Sequence, residues 1–166
     1  MRRQLRARTV LIAGALVAAI SGGLSWATPG SGTSSNPIGR ATFEGPFKVV
    51  RDDGEGGWRV ELKAKSDLDV ATQVITFQPG GQSGWHSHPG PVLISVVAGT
   101  MTFYEADDPT CTPIVRVAGE GFLDTGAHAH IARNETTEPA MNVVTYLVPA
   151  AATLRKDEPA PGNCPF

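Results

Sequence analysis

Gly80-Gly81-Gln82-Ser83-Gly84-Trp85-His86-Ser87-His88-Pro89-Gly90-Pro91-Val92-Leu93-Ile94-Ser95-Val96-Val97-Ala98-Gly99 is the stretch on which the reading of this chain turns. It holds two short β-type runs, 85–88 and 92–98, separated by Pro89-Gly90-Pro91, a tripeptide that breaks regular structure. In the first run His86 and His88 alternate, so an extended backbone presents both imidazoles on one face, about 7 Å apart at ~3.4 Å per residue. In the second, Val92, Ile94 and Val96 share a face by the same alternation.

The same punctuation continues outward. Runs at 58–64, 70–77, 101–105, 114–117, 127–133 and 141–148 are separated by Pro79-Gly80-Gly81, Gly99, Asp107-Asp108-Pro109 and Gly119-Glu120-Gly121. None of the mature region carries a 3.6-residue apolar stripe. Eight or so short strands must bury one face and hide their edges, which predicts an all-β sandwich or barrel. The 166 residues suffice for one domain and not for two, and the barrel is expected over 43–150.

Residues 1–27 read as a cleaved signal peptide: basic Arg2, Arg3, Arg6 and Arg8, an apolar run over 10–24, then Ser25-Trp26-Ala27 as a small-x-small site. The run is diluted by Gly14, Gly22 and Gly23 and is shorter than the ~20 apolar residues of a membrane span. A secreted or extracytoplasmic chain beginning near Thr28, with no stable membrane insertion, is expected. Arg2-Arg3-Gln4-Leu5 resembles a twin-arginine signal, and both the general and the folded-export route stay open. Without the four arginines, ten Lys and Arg face 16 Asp and Glu, a net charge near −6. Such an acidic body argues against nucleic acid as a partner. Residues 28–42, rich in Ser, Gly and Pro, read as a flexible linker. Cys111 and Cys164 are the only cysteines and are expected to pair, tying the 151–166 tail to the barrel for about 4 kcal/mol of loop-closure entropy.

Every histidine belongs to one of two doublets, His86-Ser87-His88 and His128-Ala129-His130. Two such doublets on facing strands reach a common point, and burying imidazoles without a partner is costly. The expectation is that His86, His88, His128 and His130 converge to bind one divalent transition metal. Imidazole donors suit Zn, Cu, Fe or Ni. Because ligating imidazoles must be neutral, metal release is expected as pH falls through roughly 6. Val92, Ile94, Met101 and Phe103 are expected to line the apolar interior, and Trp85 to face away from the histidines. Glu105, Asp124, Glu135 and Glu138 show no paired geometry that assigns a general base. Asp107-Asp108 reads as a solvated turn and Asn134 as the residue fixing the turn after the histidine strand. No phosphate-binding loop, nucleophile elbow or HExxH is present.

Gly80-x5-His86-x-His88-x3-Val92-x6-Gly99 resembles the first motif of the cupin superfamily, with Val92 where the family has a metal-ligating Glu. Gly119-x5-Thr125-x-Ala127-x2-His130-x3-Asn134 is similar to the second, with Thr125 and Ala127 replacing its Pro and second Gly. The resemblance implies a double-stranded β-helix, or jelly-roll barrel, with His86, His88 and His130 as ligands, His128 as a fourth ligand or proton-transfer group, and homodimers as a common assembly. It also implies a metal-dependent enzyme on a small organic molecule, with dioxygenation as one allowed chemistry. Two other readings stand beside this one. One is a non-catalytic cupin that carries, scavenges or senses a metal or small ligand. The other is a metal-free sugar isomerase. Fold alone does not choose among them.

Overall fold

The computed structural model describes residues 27–166, so the signal-peptide reading of the first 26 positions lies outside the described residues. Twelve strands run through them: β1 (Ser31–Phe43), β2 (Phe47–Asp52), β3 (Arg59–Ala64), β4 (Leu68–Gln82), β5 (His86–Ser87), β6 (Val92–Ala98), β7 (Thr100–Glu105), β8 (Ile114–Val117), β9 (Gly121–Asp124), β10 (His130–Arg133), β11 (Ala140–Pro149) and β12 (Lys156–Asp157). Ten form one sheet in the order β12-β5-β10-β4-β11-β6-β9, with β1 also on β4, β7 on β10 and β8 on β7. The described chain is all-β, and its main sheet curls into a nearly closed barrel.

Alternation sets the inside. On β11, Ala140, Asn142, Val144, Tyr146 and Val148 are buried while the residues between them are exposed or half-buried. They meet Phe77, Phe103, Phe122, Ile94, Val92, Val96 and Met101 in the main core. Trp85, buried on the opposite side from His86 as alternation requires, joins Tyr104 and Ile131 in a second cluster under the Cys111–Cys164 disulfide. The bridge joins positions 53 residues apart, and Asn163 reinforces it by donating to the carbonyls of Glu105 and Asp108.

Three sequence expectations are corrected here. Residues 28–42, read as a linker, contribute most of β1, which pairs antiparallel with β4 from Ser31↔Gln82 to Phe43↔Leu68. Every β1 residue is exposed, so the strand is held by backbone hydrogen bonds at an edge and leaves no apolar periodicity to detect. One of its two irregularities falls at Pro37, which has no N–H to give the ladder. Arg40 and Thr42 fasten it at one end, both bonding buried Asp69 on β4. The barrel therefore extends before residue 43. It also extends past residue 150, because β12 adds to β5 and the C-terminal segment forms a wall of the interior. Finally, β10 starts at His130 and not at 127, with consequences for His128 described below.

The β2–β3 ribbon stands apart from the main sheet. One face carries Lys48, Glu61, Arg59 and Asp52 in ion pairs, and the other carries exposed Val49, Val60 and Leu62. Among the described residues no helix is long and apolar enough to cross a membrane.

Candidate metal centre

The register of two short strands builds the site. His86 on β5 lies directly opposite His130 on β10, and directly opposed residues of an antiparallel pair share a face. His88, just beyond β5, returns to that face two residues on. The three rings converge, with centroids 4.4 Å apart for His86 and His130, 4.8 Å for His86 and His88, and 5.3 Å for His88 and His130. Each offers a nitrogen within 4.8 Å of the others, and all three residues are buried.

The tautomers follow from their neighbours. His86 Nδ1 lies 2.8 Å from the carbonyl of Gly84 and His88 Nδ1 lies 2.6 Å from the carbonyl of Leu154. A carbonyl only accepts, so both Nδ1 atoms carry the proton and both Nε2 lone pairs are free. His130 Nδ1 lies 3.2 Å from Asp124 Oδ2. The two are not aligned as a hydrogen bond, and neither atom has another hydrogen-bond partner. Burial lowers the His86 imidazole to about 2, aided by the charges His130, Arg155 and His88 would carry. Burial likewise lowers His88 to about 4, against the opposing pull of the Leu154 carbonyl. Both are neutral throughout the physiological range, as metal ligands must be. This moves their proton competition far below the pH near 6 expected from unperturbed histidines.

His128 is not part of the cluster. It is 56% exposed and faces Asp107 Oδ2 at 3.5 Å. The alternation argument fails because residues 125–129 form a turn before β10, with Gly126 at φ 77°. That turn needs glycine: a Cβ there would lie 2.5 Å from Gly90 O and 3.0 Å from His88 O. Asn134 has the role read from the sequence, donating to the carbonyls of Phe77, Gln78 and Glu138 and accepting from Thr136. Asp108 bonds Thr110 and Thr112 in the solvated turn expected there.

A cavity of about 650 Å³ opens beside the three histidines. Ile94 and Phe103 line it as expected, whereas Val92 and Met101 are fully buried in the core and do not reach it. Sequence reasoning missed the polar groups that do: Gln73 on β4, Asn142 and Tyr146 on β11, and Arg155 from the tail. Asn142 and Tyr146 had a legible signal, alternating with Val144 and Val148 on an otherwise apolar face. Gln73 donates to the Tyr146 hydroxyl, Asn142 Oδ1 is buried without a partner, and Arg155 is anchored on Ser83 O and Asp157. Burial raises the Tyr146 phenol.

Sequence reasoning also left Asp124 without a role. It is 2% exposed, and its Oδ2 lies 3.6 Å from His88 Nε2 as well as 3.2 Å from His130. Burial raises its carboxyl, but His130, the Gly126 N–H and His88 together outweigh this and hold it below the usual range. The pocket is thus not the carboxylate-free site that Val92 implied. The residues fit a divalent transition ion: three buried imidazoles, two of them with free Nε2 atoms, and an orphaned carboxylate oxygen beside them would otherwise be left undersatisfied.

No curated protein sequence matches the chain. Residues 73–146 match the family model of the cupin domain. Among solved structures, the chain is similar to the polyketide cyclase RemF from Streptomyces resistomycificus at 13% identity and a TM-score of 0.51, covering 79% of this chain and 74% of that one. A protein with a double-stranded β-helix domain from Klebsiella pneumoniae aligns at 21% identity and a TM-score of 0.46, over 54% of this chain and 75% of that one. A cupin superfamily protein from Desulfitobacterium hafniense aligns at 13% identity and a TM-score of 0.44, over 69% and 82%. At 13% identity the likeness to RemF is one of fold alone. The segment matched by the cupin-domain model, 73–146, contains His86, His88 and His130, so the likeness to that family covers all three converging histidines.

Proposed function

We propose that this protein is an exported, metal-dependent cupin enzyme acting on a small organic molecule. The observation that carries the reading is the number of converging histidines. Three, and not four, meet at the wall of a cavity large enough for a small substrate, because His128 points to solvent. A closed four-histidine shell would fit storage, whereas three ligands leave positions for substrate or water.

His86, His88 and His130 would hold the ion, drawn from Zn, Cu, Fe or Ni. When bound, it supplies Lewis acidity, or redox chemistry if it is Fe or Cu. The protein does the rest. Ile75, Phe77, Ile94 and Phe103 make an apolar side of the wall, against which the hydrocarbon part of a substrate would pack. The Tyr146 hydroxyl accepts from Gln73, so its own proton is free to be donated into the cavity. Asn142 Oδ1 is a ready acceptor for a substrate N–H or O–H. Arg155 stands beside exposed Asp157 at the opening, where it is fixed by Ser83 O. The non-catalytic reading drew on the missing carboxylate at Val92, and buried Asp124 beside His130 weakens that ground by returning a negative charge to the histidine cluster.

Loading the protein with Cu²⁺ or Co²⁺ and titrating azide tests the open position. A new ligand-to-metal absorption band is expected, and an unchanged spectrum would mean a closed site and defeat the catalytic reading. Export and homodimer formation belong to the same proposal. Mass spectrometry of exported chain should find its first residue near Thr28, and sedimentation should give twice the monomer mass.

A further inference from the structure

The first cupin-like motif lacks its carboxylate at Val92, and the sheet brings another to the neighbouring strand. Val92 on β6 and Asp124 on β9 are register partners, so their side chains leave the sheet on the same, interior face. Asp124 Oδ1 is fixed by the Gly126 N–H at 2.8 Å, inside the turn that delivers His130. Its Oδ2 has no hydrogen-bond partner and lies 3.2 Å from His130 Nδ1, which has none either.

We propose that Asp124 is the positioning carboxylate of the metal centre, holding the Nδ1–H of His130 so that its Nε2 turns to the ion, and supplying the negative charge that Val92 does not. The inference rests on the metal-centre reading above and goes beyond it. His86 and His88 each set an Nδ1 proton against a fixed oxygen, Gly84 O and Leu154 O. Asp124 completes the pattern for the third ring, with a charge in place of a carbonyl dipole. A small ring rotation aligns the pair, and two adjacent buried orphans become one satisfied contact. The same oxygen lies 3.6 Å from His88 Nε2, close enough to offset a cation shared by the histidines. Carboxylates in this position orient the imidazole and raise its basicity.

The test uses the full exported chain and Co²⁺ as the probe, with affinity read by chelator competition. Asp124→Ala should weaken Co²⁺ binding toward 100-fold, and Asp124→Asn, which keeps the shape and the Gly126 contact but loses the charge and the acceptor facing His130, by at least about tenfold. Long-range ¹⁵N–¹H NMR of the metal-free protein gives an independent readout. His130 should be the Nδ1–H tautomer in wild type and should shift toward Nε2–H both in Asp124→Ala and in Asp124→Asn, whose amide keeps its oxygen on the Gly126 N–H and turns its NH2 to the ring. Should the alanine variant not fold, the asparagine variant's affinity decides alone. Binding within twofold of wild type in the variants overturns the proposal. So does X-ray absorption showing that an oxygen ligand is lost in Asp124→Asn, which would make Asp124 a ligand. If wild type takes up no Co²⁺, the metal-centre reading fails with it. If wild type binds, His86→Ala does not, and Asp124→Ala binds as wild type, only the present inference fails.

Discussion

Acid should destabilise the metal-free protein through the two histidines that burial keeps neutral. In the unfolded chain each imidazole titrates near 6.5, whereas in the folded chain His86 is lowered to about 2 and His88 to about 4. Between these values the unfolded state binds more protons, so stability is complete above 6.5 and is lost as pH falls toward the folded values. At pH 5 an unfolded imidazole is about 1.5 units below its own pKa, which at ~1.4 kcal/mol per unit amounts to about 2 kcal/mol per histidine. Both folded histidines are still mostly uncharged there, so the two together should remove about 4 kcal/mol between pH 8 and pH 5, a large part of a typical 5–15 kcal/mol. Glu105, raised by burial, acts in the opposite sense but around the carboxylate range at the lower end of this window. Urea unfolding of chelator-treated protein at the two pH values measures the difference. His86→Gln keeps a polar side chain without the titration, and should shrink the loss to about half. A wild-type change below about 1 kcal/mol, or an undiminished loss in His86→Gln, would refute the argument that these rings are buried in neutral form.

Metal affinity should be less acid-sensitive than exposed histidines would make it. Two ordinary imidazoles at pH 5 would weaken binding about 10³-fold, whereas His86 and His88 are already neutral, so Zn²⁺ titrations at pH 7.5 and 5 should differ by less than about 100-fold. His86→Ala and His130→Ala should abolish metal retention measured by elemental analysis, while His128→Ala, removing an exposed residue paired with Asp107, should leave it unchanged. Replacing Cys111 and Cys164 together by Ser should cost on the order of 4 kcal/mol in chemical denaturation, in line with the closed loop. A loss under about 1 kcal/mol would mean that Asn163 and the Trp85 cluster hold the tail without the bridge.

How far the sequence could be read depended on how each residue is held. The alternation of Val92, Ile94 and Val96, the Pro-Gly punctuation and the two histidine doublets are local patterns, and they were enough for an all-β barrel, the cupin resemblance and three of the four histidines at the site. The cysteine pair was legible because only one pairing is available to two cysteines. Strand β1 was not, since an edge strand exposed on both faces is made by backbone hydrogen bonds that any sequence can form. His128 was misplaced because period-2 reasoning holds only inside a strand, and Gly126 keeps the chain turning until His130. Asp124, Arg155 and the Leu154 carbonyl come to the histidines from β9 and the tail through register and long-range pairing. Side-chain chemistry and local period are written in the order of residues, whereas proximity across 36 or 66 positions, as for His88 with Asp124 or with Leu154, exists only once the sheet has closed.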